Sequence, residues 1–318
     1  MAGMRLPTFG REASWEHRAL TGLTATQFAD LLIELAATWE LQCEAIREER
    51  RGHEGSRGGG RRYDLHFADR LVITLAFIRH GLTHDVLASL FRVDRSTISR
   101  TIAEIRPLLA KRGIEVEDNQ TLRTMADAFA YLDATGKVGR LDGSDIQVRR
   151  PKANFPGRRR FISGKRKQNT IKVSTICDED GRLLFCGAWR PGRMHDQTAV
   201  FTEGIDNLLE MYPNVHLLVD AGYLGLAKRH PDQVSAPPLK PKKDARPEEI
   251  VAYEKARHAQ SSARIPVEHG NAHLKIARSL TRWLGRREDL SITADAWVAI
   301  LTFRQRRPDL APSFTAVP

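Results

Sequence analysis

Three acidic residues lie in sequence contexts that suit metal-dependent chemistry. Asp142 directly follows the run 138–141, and Asp220 directly follows the run 216–219, so we expect both at the ends of short strands. Glu268 lies in a segment with largely helical spacing. Two neighbouring strands and a covering helix can bring three carboxylates together around metal.

Oxygen ligands without clustered cysteine or histidine are typical of a site for Mg²⁺, for which Mn²⁺ can substitute. Two such ions, about 4 Å apart, stabilise both the attacking and the leaving oxygen of a phosphodiester displacement. The attacking group is then a metal-bound water or a DNA 3′ hydroxyl, and the protein forms no covalent intermediate. Asp145 follows Asp142 at an interval of three and is a rival ligand.

A strongly basic stretch lies between the first two acids. From Val148 to Lys172 there are ten Lys or Arg residues and no acid, including Lys165, Arg166 and Lys167. Such a run would neutralise DNA phosphates, with an affinity that falls as the salt concentration rises. A solvated basic loop is the alternative.

The segment 83–103 has the spacing of a helix-turn-helix, with one apolar core across two helices and with Asp94 placed to cap the second. The polar residues of the second helix are predicted to point outward: Arg95, Ser96, Thr97, Ser99 and Arg100. Their types are those that read DNA grooves and bind phosphates. Arg92 stands where the pattern usually has glycine, which predicts a left-handed residue that costs about 1 kcal/mol. An ordinary helical hairpin with a polar surface is the alternative.

The composition agrees with a nucleic-acid partner. The chain has 318 residues, a formal net charge of +11 and a sequence pI of about 9.9, the balance of a protein that binds a polyanion. Its three cysteines show neither disulfide nor zinc-ligand spacing. No run has the length and apolarity of a bilayer-spanning segment or a signal peptide, so we predict a cytoplasmic or nuclear protein with no membrane partner.

The predicted elements change type along the chain. A helix is predicted over 24–46, a flexible connection or basic arm over 47–63, and several helices over 65–111 with breaks at Gly81 and near Val93. After residue 126 we predict strands over 137–141, 170–177, 183–189 and 215–219, the middle two forming a hairpin. Further helices are predicted over 196–211, 246–260 and 262–280. An all-α DNA-binding domain over 1–125 and an α/β catalytic domain over 126–318 are therefore expected.

Five short motifs occur in an order that resembles a known family. They are Asp142-Gly-Ser, Ser163-Gly-Lys-Arg-Lys, Pro191-Gly-Arg-Met-His-Asp196, Asp220-Ala-Gly-Tyr223 and Arg264-x3-Glu268-x6-Lys275. Together they resemble the DDE transposases of the bacterial insertion-sequence-five group and their eukaryotic Harbinger relatives. The segment 67–102 also resembles the helix-turn-helix that precedes the catalytic domain in this group.

The resemblance implies an RNase H-like catalytic fold with two-metal chemistry, and Asp142, Asp220 and Glu268 as the residues that hold the metal. It favours Asp142 over Asp145. It also implies that Arg264 and Lys275 contact DNA near the cut. The expected partner is double-stranded DNA, as the terminal inverted repeats of an insertion sequence and as target DNA in a bacterial nucleoid. Since two ends are bound, a homodimer or a larger assembly is expected.

Several positions need separate comment. Related elements often have tyrosine at the position of Ser261, so no role of that tyrosine is transferred. Pro266 either lies in the first turn of the Glu268 helix or marks a kink. His195 and Asp196 lack a partner Ser or Cys in a nucleophile motif. The resemblance places this pair at the start of a helix, where Asp196 could cap.

An active DNA transposase is the favoured interpretation. One alternative is a domesticated DNA-binding regulator that has lost the chemistry, against which the retention of all three acids argues. The other is an RNase H-like metal nuclease that cuts DNA without joining it. Joining of a cut end to target DNA distinguishes the transposase from this nuclease.

Overall fold

Helices make up the first part of the chain. The computed structural model describes residues 18–51, 65–117 and 120–305. The helices are α1 (Arg18–Thr21), α2 (Ala25–Arg51), α3 (Phe67–His80), α4 (His84–Phe91) and α5 (Arg95–Lys111). Within these ranges no helix combines the length and the apolar character that a membrane crossing needs.

Helix α2 begins at a reciprocal cap. The Thr24 hydroxyl accepts from the Gln27 N–H at 3.2 Å, and the Gln27 side chain accepts from the Thr24 N–H at 3.1 Å. The helix predicted over 24–46 is confirmed, but it continues through Arg51, so the predicted loop is wrong over 47–51. Arginine and glutamate are good helix formers and carry the helix on. The rest of the predicted arm, residues 52–64, lies outside the described residues.

Helices α3, α4 and α5 form the predicted helix-turn-helix around a small apolar cluster. Helix α3 ends at Gly81 (φ 64°), and α4 ends at Arg92 (φ 52°), so the left-handed arginine is confirmed. Asp94 occupies the N-cap position of α5 without a hydrogen bond from its side chain. The cluster consists of Leu65, Ile73, Ala76, Leu87, Ile98 and Ile102. Its residues fix the angle at which α5 is presented.

A mixed sheet follows. The later elements are β1 (Ile114–Glu115), β2 (Thr121–Leu122), α6 (Met125–Thr135), β3 (Gly139–Val148), β4 (Thr170–Cys177), β5 (Leu183–Pro191), α7 (Asp196–Glu203), α8 (Ile205–Met211), β6 (Leu217–Leu218), α9 (Leu224–Arg229), β7 (Val234–Ser235), α10 (Pro247–Ile276), α11 (Arg278–Thr281), β8 (Arg282–Trp283) and α12 (Leu290–Gln305). The strand order is β5-β4-β3-β6-β7, and β8 also pairs with β3. Strands β5, β4 and β3 are antiparallel neighbours, whereas β6 and β7 add in parallel. This is the expected RNase H-like α/β arrangement.

The β4–β5 hairpin is confirmed together with its turn. Asp178 Oδ1 accepts from the N–H groups of Asp180 and Arg182 at 3.0 and 2.9 Å. Gly181 has a φ of 76°, and a Cβ there would lie 2.8 Å from the Pro266 carbonyl oxygen. The turn therefore packs against α10, and only glycine fits its tightest point.

Three predicted boundaries are wrong. Strand β3 does not end at Leu141 but continues to Val148, because β4 pairs with it residue by residue from 140 to 147. The predicted helix 196–211 is divided at Gly204 (φ 73°). The two helices predicted over 246–280 are one helix, α10, followed by the short α11. Pro266 lies inside α10, so its placement in a first turn is wrong.

Helix α12 packs on α5 and joins the two parts of the molecule. Arg106 of α5 is buried; it donates to Thr293 Oγ1 at 3.1 Å and lies 3.0 Å from Asp289 Oδ1. One apolar cluster includes Leu31 of the helical part, Leu141 of β3 and Trp297 of α12. The helical part and the sheet thus share a core.

Candidate active site

Helix α10 is fastened across the sheet at Asp142. Asn271 Nδ2 donates to Asp142 Oδ2 at 2.8 Å, and Asn271 Oδ1 accepts from the Thr175 hydroxyl at 2.9 Å. Thr175 is the cross-strand neighbour of Asp142, so the two side chains share a face of the sheet. Arg264, two turns before Asn271, brings Nη2 to 3.7 Å from Asp142 Oδ1. One carboxylate is thus held from the strand and from the helix.

Two further bonds fix where α10 crosses the sheet. The Arg140 Nε donates to the Ala263 carbonyl at 2.6 Å. The Gln260 side chain donates to the Val219 carbonyl at 2.8 Å, at the end of β6. The middle of α10 is therefore tied to both strands that carry the predicted aspartates.

Asp142 lies in the interior of β3, not at a strand end as predicted. The sequence Asp-Gly-Ser-Asp has low strand propensity, but pairing with β4 overrides it. Burial raises the pKa of the Asp142 carboxyl; the Gly143 N–H and Arg264 oppose this, and Asp220 and Asp196 raise the pKa further. Negative charge is therefore concentrated at a half-buried point, which favours a bound cation.

The second aspartate lies beside the first, as the sequence predicts. Asp220 follows β6, the parallel neighbour of β3, and its Oδ1 accepts from the Gly222 N–H at 2.8 Å. A Cβ on Gly222 would lie 2.9 Å from both Asp220 Oδ1 and Asp196 Oδ2. The glycine of the Asp-Ala-Gly-Tyr motif is thus required because two carboxylates approach its backbone.

Asp196 is a functional candidate that the sequence analysis did not propose. A Cβ on Gly143 would lie 3.2 Å from Asp196 Oδ1 and 3.4 Å from the buried Tyr223 hydroxyl. The same Oδ1 pairs with Lys172 Nζ at 2.5 Å. The predicted place at a helix start is confirmed, but His195 is the cap, with Nδ1 accepting from the Gln197 N–H at 3.3 Å. Spacing alone could not reveal Asp196, because its neighbours are distant in sequence.

Glu268 lies on the helix face that contacts Asp142. At 3.6 residues per turn, Arg264, Glu268 and Asn271 fall within an arc of about 60°. Glu268 is the most exposed of the three, since Arg264 is half-buried and Asn271 is buried. Among the described residues no three Asp, Glu, His or Cys side chains stand close enough to hold a metal ion. That Glu268 joins the two aspartates in holding a metal ion therefore stays a prediction.

The donor set fits a hard divalent cation. Asp142 and Asp220 present carboxylate oxygens, which are the ligands that a hard divalent cation prefers. The raised pKa of Asp142 reflects burial and neighbouring negative charge, both of which a cation offsets. Asn271 and Arg264 orient the carboxylate as supporting partners do in metal sites.

Comparison with known proteins agrees with this geometry. The profile described as DDE superfamily endonuclease matches residues 141–302, just over half of the chain. The chain belongs to the DDE superfamily endonucleases. A second profile, the helix-turn-helix of DDE superfamily endonucleases, matches residues 63–114. Endonucleases of this superfamily use divalent metals. The family predicted from the five motifs is confirmed.

Relatives of this DDE endonuclease include a probable transposase for insertion sequence element IS702 of Microchaete diplosiphon. It is 23% identical over 264 residues, which are 81% of this chain and 87% of the relative. A pre-cleavage Mos1 transpososome is 11% identical and covers 86% of this chain and 88% of its own, with a TM-score of 0.26. A Mos1 transposase paired-end complex is also 11% identical, and the match covers 80% of this chain and 87% of that chain, with a TM-score of 0.20.

The helix-turn-helix of this endonuclease exposes only part of the predicted DNA-reading set. Arg95, Ser96 and Arg100 are exposed, and Arg95 pairs with Asp85 at 3.1 Å. Thr97 and Ser99 are half-buried. The Ser99 hydroxyl donates to the Arg95 carbonyl at 3.1 Å and lies 2.9 Å from His84 Nδ1. The expectation that all five point outward is therefore wrong for Ser99, which contacts the first residue of α4, whereas Thr97 is partly exposed.

The other predicted DNA contacts surround the carboxylates. Lys165, Arg166 and Lys167 are exposed in the turn between Ile162 and Asn169. Lys275 is half-buried on α10, where its pKa is lowered by burial and then by the charge of Arg166. Arg264 is also half-buried, and its Nη2 lies 3.7 Å from Asp142 Oδ1, so it forms a local ion pair besides being a predicted DNA contact. Asp145, the rival ligand, accepts from the Ser163 hydroxyl at 3.0 Å.

Proposed function

We propose that this chain is a DNA transposase that cuts and joins DNA with divalent metal held by Asp142, Asp220 and Glu268. The observation that carries the proposal is the meeting of Asp142 and Asp220 on adjacent parallel strands beneath the α10 face that bears Glu268. Helix α10 contacts Asp142 through Asn271, about one turn beyond Glu268, and Glu268 is proposed to join the two aspartates when metal binds. The ions are Mg²⁺, with Mn²⁺ as a substitute, and two are expected.

The metal supplies charge at the attacking and leaving oxygens of the phosphodiester. The chain supplies the frame. Asn271 and Arg264 orient Asp142, and the Gly222 N–H orients Asp220. The backbones of Gly143 and Gly222 leave room for carboxylates that a larger residue would displace. These contacts hold the acids in place before DNA arrives, so little reorganisation is needed during reaction.

The N-terminal helices are proposed to bind double-stranded DNA at the terminal inverted repeats. The N-terminal half of α5 presents Arg95, Ser96 and Arg100, which suit phosphate and base-edge contacts. We propose an all-α DNA-binding domain over 1–125 and a catalytic domain over 126–318. Because an element has two ends and a target, the acting form is proposed to be a homodimer or a larger complex on DNA.

The test uses purified protein, labelled DNA that carries the ends of its own element, unlabelled target DNA and Mg²⁺. The variants are Asp142→Asn, Asp220→Asn and Glu268→Gln, with the exposed turn residue Glu179→Gln as the matched control. We expect each site variant to lose cleavage by at least about 100-fold while it keeps DNA affinity. Glu179→Gln is expected to cleave and join as the wild type does.

The products decide between the proposal and its rivals. Labelled ends covalently joined to target DNA support a transposase. Shortened strands without joined product would instead indicate a metal nuclease. Binding of the ends without any cleavage in Mg²⁺ or Mn²⁺ would indicate a DNA-binding regulator. Full activity of any one site variant would remove that residue from the metal-holding set.

A further inference from the structure

The turn that carries the basic motif is tightly built. We call residues 163–168 the basic turn. It is closed by the Ile162–Asn169 bridge, by Ser163 N–H to the Gln168 carbonyl and by Lys167 N–H to the Ser163 carbonyl, both at 2.9 Å. Lys167 has a φ of 56°, which a lysine adopts at a cost of about 1 kcal/mol.

One buried hydroxyl fastens the basic turn to the sheet. Ser163 is 2% exposed, and its hydroxyl donates to Asp145 Oδ2 at 3.0 Å. The Ser163 hydroxyl oxygen also accepts from the Arg166 N–H at 3.2 Å. A serine hydroxyl has one donor and two acceptor positions, so a single side chain joins β3 to the backbone of the turn. A carboxylate acceptor makes such a bond stronger than a neutral one.

Asp145 and Asp142 face different partners. They are an odd number of residues apart in a regularly paired strand, and their cross-strand neighbours are Lys172 and Thr175. Side chains alternate along a strand, so the two carboxylates leave β3 in different directions and take different partners. Asp142 faces Asn271 on α10. Asp145 is therefore placed to hold the basic turn instead of sharing the ligand set of Asp142.

The fastened turn sets two cations against each other. Burial lowers the pKa of Lys275 on α10 most, the like charge of Arg166 lowers it further, and the charges of Asp142 and Asp145 oppose this. In the described part of the chain neither cation has an acidic side chain within 4.0 Å. An anion between them would remove the repulsion. The DNA backbone supplies such an anion every few ångströms.

We propose that Asp145 is a positioning residue that acts through Ser163 to hold the basic turn beside α10, so that Arg166 and Lys275 bind the same phosphate group of DNA. The proposal rests on the proposed function, because DNA is the ligand. It gives Asp145 a part in substrate binding and none in holding metal. It also gives the Ser-Gly-Lys-Arg-Lys motif a reason for its serine.

The experiment measures the Kd for duplex DNA over a series of salt concentrations with metal chelated. The slope of log Kd against log salt reports the number of neutralised phosphates, with a change of about 1 per lost contact. We expect Ser163→Ala, Asp145→Ala and Arg166→Ala each to lower the slope by about 1. Asp145→Asn keeps an acceptor for Ser163 and is expected to stay near the wild-type slope.

Two comparisons separate positioning from a general loss of structure. Asp178→Ala also removes a turn-fixing aspartate, but residues 179–181 at the tip of that turn carry no basic side chain, so its slope is expected to equal the wild type. Because Arg166 acts only if Ser163 holds it, Ser163→Ala combined with Arg166→Ala is expected to lose no more than either alone. If Asp145→Ala fails to fold, Ser163→Ala carries the test.

The outcomes keep the two proposals distinct. If the wild type binds no DNA, the proposed function fails. If the wild type binds DNA and Ser163→Ala keeps its salt slope, the positioning proposal is wrong although the function stands. Binding of Mn²⁺, followed by its paramagnetic resonance, is expected to be the same in Asp145→Asn and in the wild type. A loss of Mn²⁺ affinity in that variant would overturn the proposal and make Asp145 a ligand.

Discussion

At the scale of single residues, the site depends on groups that satisfy Asp142 before any cation binds. Asn271 is the central one, because it donates to Asp142 and accepts from Thr175, and it is 7% exposed. A buried polar group that loses its partner costs more than the bond itself contributes. The arrangement therefore constrains Asn271 from two sides.

Asn271→Leu keeps the volume of the side chain but removes both bonds. We expect the free energy of unfolding to fall by about 1 to 3 kcal/mol, because Asp142 Oδ2 loses its donor and the Thr175 hydroxyl keeps only the Asp142 carbonyl at 3.4 Å. Cleavage in Mg²⁺ is expected to fall by about 10- to 100-fold, since Asp142 loses its orientation. Urea unfolding and single-turnover cleavage measure the two effects. The exposed Asn214→Leu is the control, and equal effects in both variants would contradict the role of Asn271.

Glu203 gives a pH dependence that is separate from the metal-holding acids. Burial raises its pKa from 4.5 to about 7, and outweighs the bonds from the Ser174 hydroxyl and the charge of Arg190. Between these two pH values the unfolded chain has released a proton that the folded chain still holds. The free energy of unfolding therefore falls as pH rises through this window.

Glu203→Gln removes that dependence, because glutamine stays neutral. At pH 8 the variant is expected to exceed the wild type in unfolding free energy by about 2 to 3 kcal/mol, and near pH 4.5 the two are expected to agree. Urea titrations at several pH values measure this. The exposed Glu254→Gln serves as control. Parallel stability curves for Glu203→Gln and the wild type would show that Glu203 titrates normally.

The sequence revealed the residues that lie in motifs and missed those that depend on distant contacts. Asp220 follows its strand as predicted. Asp196 was undervalued because Lys172, Gly143 and Gly222 meet it only after folding. Asn271 had a usable signal, since it falls on the same helix face as Arg264 and Lys275. Hydrogen-bond partners on a neighbouring strand, such as Thr175, produce no local sequence pattern that would identify them.

At the scale of elements, the sequence predicted where several helices end, but it did not predict that α10 is continuous. Gly81 and Arg92 ended their helices where the sequence indicated. Pro266 suggested a helix start, but it lies inside α10. Because proline has no N–H, the carbonyl of Ser262, four residues earlier, lacks its helical donor. Ser262 is exposed, so this carbonyl can bond to water. Packing of α10 on the sheet then compensates for the lost bond.

Arg92→Gly tests the turn of the helix-turn-helix. Arg92 has a φ of 52°, and glycine adopts this conformation without steric cost. The unfolding free energy is expected to rise by up to about 1 kcal/mol. Urea unfolding measures it, with Lys240→Gly in an exposed loop as a control that is expected to gain nothing. A loss of stability on Arg92→Gly would mean that the arginine side chain contributes more than its backbone costs.

At the scale of the whole molecule, the basic charge and the shared core serve different ends. The net charge of +11 favours binding of a polyanion such as DNA, whereas in the proposed function the position of α5 relative to the sheet sets which part of the DNA reaches the carboxylates. That position is fixed by α12, which packs on α5: Arg106 of α5 donates to Thr293 of α12 and pairs with Asp289, the residue directly before α12. The sequence predicted two parts but could not show that they share a core, because this depends on contacts between α5 and a helix far along the chain.

Asp289→Ala tests whether the two parts unfold together. The variant leaves Arg106, whose side chain is 8% exposed, without its carboxylate, and is expected to cost about 1 to 3 kcal/mol. Because the core is shared, hydrogen exchange measured by mass spectrometry is expected to show the same loss of protection in α5 and in β3 and β4. Asp85→Ala breaks an exposed pair with Arg95 and is expected to change neither by more than about 0.5 kcal/mol. Loss of protection in α5 alone would instead mean that the N-terminal helices open independently, as a separate domain ending near residue 125 would.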